Sequence, residues 1–187
     1  TSTGAIIARD EEGKDRRVTH LATSADNWLG GDDIDTVVYQ YFLKQIALSL
    51  ADQRLQNIEL SLSANEAGRI RQRAKDAKEL LSVNETYDVT FASPSLGLID
   101  LHLDRPTFES LLQQSNLIKS SLNVVLHACR LVYVYDEACH EETVDSQKIT
   151  GLSLPQASSM IDHVVLVGGV TKIPFVRKSL VEIFGEE

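Results

Sequence analysis

Lys75, Lys78 and Ser82 are separated by three and then four residues, a spacing that sets them along one side of an α-helix. Ile70, Ala74, Ala77 and Leu81 form an apolar stripe on the same helix, about 100° away by the helical period. A lysine ammonium beside a nucleotide is a point charge for ribose or phosphate oxygens. A serine hydroxyl both donates and accepts, which suits the edge of a base. Spacing alone leaves a second outcome open, an ordinary solvated lysine face.

Two glycine pairs extend the chemistry. Gly168 and Gly169 follow the apolar run Val164, Val165, Leu166, Val167, which reads as a strand buried on both faces. A helix with Ile173, Val176, Leu180, Val181 and Phe184 on one side comes next. Strand, glycine turn and helix together offer backbone amides and a helix dipole to an anion or nucleotide. Upstream, Gly30 and Gly31 open a long helix that carries Asp32, Asp33 and Asp35 at its start, where the dipole favours acids. Those aspartates are expected to serve the helix start rather than a magnesium ion.

Other constellations are weaker. His127, Cys129, Cys139 and His140 lack the spacing of a zinc module, and Cys129 falls on a core helix face. His20, His102 and His163 sit in or beside strands without partners that would make a catalytic triad.

The elements that position these residues follow in order. Residues 5–8 and 18–23 read as a hairpin around the polar turn at 10–14. Ile34, Val37, Val38, Tyr41, Phe42 and Ile46 keep helical spacing. Ser63 and Glu66 make a capping box for the lysine-bearing helix. Tyr87, Val89 and Phe91 alternate with polar residues, as do Ile99, Leu101 and Leu103, so residues 87–103 read as a second hairpin. Asp104 and Pro106 start a helix with core face Phe108, Leu111, Leu112, Ser115, Ile118, Leu122, Val125 and Cys129. Residues 136–150 read as an acidic, polar loop.

The chain has 187 residues, enough for one domain or two small subdomains. Its formal net charge of −9 disfavours a nucleic-acid backbone as partner. No apolar run approaches the ~20 residues that span a membrane, so no membrane partner is expected. Two cysteines suggest a reducing, cytoplasmic setting. The first residue is Thr1 and the only methionine is Met160, so the chain is expected to be a piece of a longer protein.

The segments Leu29-Gly30-Gly31-Asp32-Asp33-Ile34-Asp35 and Val167-Gly168-Gly169-Val170-Thr171-Lys172-Ile173-Pro174, in this order and separation, resemble the seventy-kilodalton heat-shock chaperone (DnaK-like) family. Residues 73–82 resemble that family's adenosine-contacting helix, and residues 87–103 its β-hairpin. The resemblance covers most of 17–129 and 161–187 and fails at about 130–159. It implies an α/β fold, the second lobe of an actin-like ATPase (ribonuclease H-like) domain. An α/β subdomain would span 1–50 and 131–187, with an inserted helix-and-hairpin subdomain at 51–130.

By the same resemblance ATP or ADP, with magnesium in the intact protein, is the cofactor. The nucleotide-contacting positions would be Gly31, Lys75, Lys78, Ser82, Gly168, Gly169, Val170, Lys172 and Ile173, with no catalytic residue and no metal ligand in this chain. The parent protein is expected to couple ATP binding and hydrolysis to protein folding in the stress response. Its expected partners are the first lobe and the peptide-binding domain of the same protein, and a co-chaperone or exchange factor. The alternative is a non-hydrolysing relative that acts as a co-chaperone or docking platform.

Four departures bear on that choice. Lys75 stands where the family commonly has a glutamate, Glu79 where many members have an arginine, Val170 in place of a serine, and Lys172 in place of an arginine over the adenine. Lysine stacks poorly, and losing a stacking arginine costs about 0.5–2 kcal/mol. The family's phosphate loops, metal-linked aspartates and catalytic lysine belong to the first lobe or to residues ahead of Thr1. This chain alone is therefore expected not to hydrolyse ATP. The family's central strand would also precede Thr1, with the first hairpin on one side of it and residues 164–167 on the other.

Overall fold

The computed structural model describes residues 2–9, 18–26, 30–49, 62–138, 156, 159, 161 and 163–185. The chain falls into two compact units. One comprises Thr1–Gly30, Ile118–Gly168 and Val176–Glu187, the other Gly31–Leu117 and Gly169–Phe175. The sequence reading drew its division near residue 50 instead.

In the first unit, β1 (Ser2–Arg9) pairs antiparallel with β2 (Val18–Asp26). The register runs from Ser2 opposite Asp26 to Arg9 opposite Val18. It shifts between Ile6 and Ile7, whose partners are Ala22 and His20. One extra residue on β2 at that point is the signature of a bulge, which bends and twists a strand. The hairpin read from the sequence is present with longer strands, and its turn at 10–14 lies outside the described residues.

The second unit is built on α1 (Gly31–Ser49), whose buried residues are Ile34, Val38, Tyr39, Phe42, Leu43, Ile46 and Ala47. Tyr39 and Leu43 take places that periodicity assigned to Val37 and Tyr41. The guanidinium of Arg71 lies 4.6 Å from the Tyr39 ring centre, close enough for a cation–π contact that covers the ring.

Helix α2 (Ala64–Leu81) begins with the expected capping box, in which Ser63 accepts from the Glu66 amide and Glu66 accepts from the Ser63 amide. Its stripe of Ile70, Ala74, Ala77 and Leu81 is fully buried, as the spacing predicts. Two of those four side chains are alanines, so α1 and α2 pack closely.

Strands β3 (Thr86–Ser93) and β4 (Gly97–Asp104) form an antiparallel hairpin with unbroken register, Thr86 opposite Asp104 through Ser93 opposite Gly97. Gly97 closes the turn at φ +82°, a left-handed conformation that a side chain disfavours. Tyr87, Phe91, Ile99, Leu101 and Leu103 point into the core. The side chain of Gln45 on α1 pairs with the backbone of His102 on β4. Its Nε2 donates to the His102 carbonyl at 2.7 Å, and its Oε1 accepts from the His102 amide at 3.1 Å. Nε2 also donates to the Tyr41 hydroxyl at 3.1 Å.

Glu66 ties α2 to the hairpin tip. It is only 4% exposed. One carboxylate oxygen accepts from the Ser63 amide at 3.0 Å and the Ser63 hydroxyl at 2.6 Å. The other accepts from the Ser95 amide at 3.2 Å, the Ser95 hydroxyl at 2.6 Å and the Ser93 hydroxyl. The bonds from Ser63, then Ser93 and Ser95, hold this carboxyl far below the ordinary glutamate range, outweighing the opposing effect of burial.

Helix α3 (Arg105–Gln114) is capped by Asp104, which accepts from the Thr107 amide at 2.8 Å, and buries Phe108 and Leu112. The Thr107 hydroxyl and then this amide lower the Asp104 carboxyl pKa. The sequence pattern predicts one helix through to Cys129. The structure breaks it at Ser115 and Asn116, where Asn116 takes φ +57°. Asparagine tolerates this left-handed turn because its short amide can bond locally. Helix α4 (Leu117–Ala138) then starts afresh and reaches beyond 136, where a loop was expected. Residues 139–150 lie outside the described residues.

A 3-10 turn (Gly169–Lys172) leads into α5 (Pro174–Phe184), with Pro174 at its first position, where a missing N–H costs nothing. Residues 164–167 depart from expectation. They belong to no strand, because a strand needs a ladder partner and the described residues supply none. Val164 and Leu166 are 38% exposed, whereas Val165 and Val167 are 81% and 83% exposed. The alternation has a strand's period of two.

Candidate functional site

Three separate segments of the second unit meet at Gly31, the first residue of α1. The Lys78 ammonium, near the end of α2, donates to the Gly31 carbonyl at 3.1 Å. It also lies 2.7 Å from Asp35 Oδ1, one turn further along α1. A Cβ placed on Gly31 would sit 3.3 Å from Lys78 Nζ and 3.4 Å from Val170 Cγ2, tighter than most carbon contacts. A side chain here would make Lys78 or Val170 give by a few tenths of an ångström, so the constraint on Gly31 is close approach and not its dihedrals. The sequence reading singled out Gly31, Lys78 and Val170, and the structure brings them together.

Ser82 caps the C-terminus of α2, with its amide donating to Glu79 and Leu80 carbonyls. Its hydroxyl donates to the Lys78 carbonyl at 3.1 Å, leaving lone pairs to accept from a ligand. The glycine pair divides by role. Gly168 sits at φ +100°, which disfavours a side chain, and a Cβ on Gly169 would meet open space. Ile173 donates its amide to the Val170 carbonyl at 3.1 Å and buries its side chain, 1% exposed, so it anchors the turn. Lys75 and Lys172 are exposed and add no contact to the cluster at Gly31.

Asp35 was missed as a partner of Lys78. A signal existed, since Gly31 and Asp35 are i and i+4 on one helix and share a face. The identity of the cation across from them, 43 residues or more downstream, carried no local mark. The link from Glu66 to Ser93 and Ser95 was missed for the same reason.

Among the described residues, no group of three or more His, Cys, Asp or Glu side chains is placed to hold a metal ion. Cys129 is buried against Leu126, with Val125 and Ile161 beside it, and burial raises its thiol pKa. Cys139 and His140 lie outside the described residues. Among the described residues, no helix is long and apolar enough to cross a membrane.

The glycine turns, the lysine-bearing helix and the hairpin are the features that resemble the heat-shock chaperones, and comparison with known proteins shows the family. Residues 13–187 match the family described as Hsp70 protein. The chain belongs to the Hsp70 family, whose members carry an actin-like ATPase fold. It is 34% identical over 166 residues to the "Chaperone protein HscA homolog" of Pseudoalteromonas atlantica, covering 88% of this chain and 21% of that protein. It is 33% identical over 176 residues to the "Chaperone protein DnaK" of Ureaplasma urealyticum, covering 89% and 24%. It is 29% identical over 168 residues to the "Mitochondrial-type heat shock protein 70" of Encephalitozoon hellem, again covering 89% and 24%. The chain thus spans between a fifth and a quarter of the length of these relatives.

Proposed function

We propose that this chain forms the adenosine side of the nucleotide cleft in the second lobe of an Hsp70-type ATPase domain. The observation that carries the reading is the convergence of Gly31, Lys78 and Val170, drawn from three segments, on one point. The residues suit a nucleoside. Lys78 has three N–H donors, of which the Gly31 carbonyl engages one, while Asp35 faces the ammonium as an ion-pair partner. Ser82 adds acceptor lone pairs, and Gly169 leaves its backbone uncovered. Gly168, Val170, Lys172 and Ile173 would shape the turn over the base, and Lys75 would flank the sugar. ATP, bound with magnesium held by the rest of the protein, supplies the phosphoryl group that such a domain cleaves.

In the intact protein, the parts that bind phosphate and peptide would come from outside this chain, and a co-chaperone or exchange factor would act on the assembled domain. The second reading, a non-hydrolysing relative used as a docking platform, is favoured by Lys172 and Glu79, which stand at arginine positions.

The test is nucleotide binding to the full-length protein by calorimetry. Lys78→Ala and Ser82→Ala are expected to weaken ADP binding, and Lys44→Ala, an exposed change elsewhere on α1, to leave it unchanged. Equal affinity in all three overturns the site. Steady-state ATP turnover by the full-length protein separates the two readings: turnover supports the ATPase, and its absence with retained ADP binding supports the docking platform.

A further inference from the structure

Asp35 Oδ1 is sealed from solvent, and the Lys78 ammonium 2.7 Å away balances its charge. The pair lacks the alignment of a hydrogen bond, whereas the N–H that Lys78 gives to the Gly31 carbonyl is well directed. Both side chains are largely covered, Lys78 at 12% and Asp35 at 18% exposure. A lysine with a free stem samples many rotamers, and ordering it at the moment of ligand binding costs entropy. In this protein Asp35 and the Gly31 carbonyl supply that ordering from within the fold. The carboxylate also cancels the lysine's charge, which weakens its pull on a phosphate and leaves the N–H groups beyond the Gly31 bond suited to an uncharged acceptor.

We infer that Asp35 is a positioning residue for nucleoside recognition: it clamps the Lys78 ammonium against Gly31, so that its N–H groups not taken by the Gly31 carbonyl are preset for a neutral oxygen or nitrogen of a nucleoside. The inference rests on the nucleotide role proposed for Lys78 and adds the group that makes that lysine competent. Gly31 belongs to the same device, since a Cβ there would sit 3.3 Å from Nζ and push it a few tenths of an ångström from its place.

Two measurements on the full-length protein test it. The first is the rate at which an amine-reactive reagent labels Lys78 in the ligand-free protein, read by mass spectrometry. Asp35→Asn is expected to raise that rate about three- to tenfold, the scale of releasing part of a lysine's rotamer freedom, with other lysines unchanged. Gly31→Ala, which leaves the carboxylate in place, is expected to raise it as well and serves if Asp35→Asn fails to fold.

The second is affinity for adenosine, chosen because it is uncharged. With ADP, removing the carboxylate would also remove a repulsion and mask the loss. Asp35→Asn is expected to weaken adenosine binding about three- to tenfold, and Lys78→Ala at least as much. The double variant should bind no more weakly than Lys78→Ala alone, because the carboxylate acts only through the lysine.

Unchanged labelling in a folded Asp35→Asn protein overturns the clamp. Additive losses in the double variant overturn it too, because they give Asp35 an effect of its own. If Lys78→Ala weakens adenosine binding and Asp35→Asn does not, the positioning role falls while the nucleotide reading stands. If Lys78→Ala leaves adenosine affinity unchanged, the nucleotide reading of Lys78 falls and the positioning role with it.

Discussion

Gln45 offers the sharpest test of the packing between α1 and the hairpin. All three of its polar contacts are satisfied: two hydrogen bonds to the His102 backbone and one to the Tyr41 hydroxyl. Gln45→Met keeps the length and helix propensity of the side chain and removes every donor and acceptor. Water reaches part of this site, so each lost bond counts at the low end of the usual range, and the expected total is about 1.5 kcal/mol. For a domain of this size, about 1 kcal/mol moves the melting midpoint by about 2–4 °C. Gln45→Glu is more telling. It keeps an acceptor for the His102 amide but sets an oxygen where Nε2 stood, 2.7 Å from the His102 carbonyl. Two acceptors then face each other, and the expected cost at pH 7 is about 1–3 kcal/mol. That carboxyl is neutral-favouring, so its folded pKa lies above its unfolded value of about 4.3. The sign follows: the variant regains stability as pH falls toward 4.3 and loses it as pH rises through the raised folded value. Urea unfolding of both variants against wild type, at pH 7 and pH 5, is the assay. A Gln45→Glu protein as stable as wild type at pH 7 would refute the contact with His102.

Glu66→Gln should destabilise the protein most at neutral pH. The Glu66 carboxyl is depressed in the fold, so its contribution is full above the ordinary value of 4.5 and is lost progressively as pH falls from there toward the folded value; the gap between the urea midpoints of variant and wild type should therefore be constant from pH 7 to 5 and narrow between pH 4.5 and 3. The isolated chain should show no ATP turnover with magnesium, and turnover abolished by substitutions within it would contradict this. The isolated chain should also bind ADP with a dissociation constant above about 100 μM, since half a cleft buries too little ligand; micromolar binding by calorimetry would refute it. In the full-length protein the amides of residues 164–167 should exchange slowly with deuterated solvent, because an apolar segment of this kind is expected to find a ladder partner there; fast exchange would remove the strand from the reading.

Local physics made part of this legible. The stripe of Ile70, Ala74, Ala77 and Leu81, the capping box at Ser63 and the alternation of Ile99, Leu101 and Leu103 are each fixed by neighbours in sequence, and each appears as read. Periodicity overran at Asn116, because the apolar spacing continues across a residue whose backbone turns left-handed. It failed at 164–167 because a strand is defined by what lies beside it, which composition does not contain. In the candidate site the glycines and Lys78 were legible as types, and Val170 came from the family resemblance. Asp35 was not, since its partner is set by how α1 packs on α2.

The Glu66 contacts have a mechanical consequence. The carboxylate bolts the hairpin tip to the first turn of α2, and the same unbroken helix carries Lys78 about 18 Å further along, at 1.5 Å per residue. A helix resists compression far more than it resists bending at its ends. The exposed tip, where Leu98 stands 78% open to solvent, and the lysine are therefore held on one continuous helix at a fixed separation.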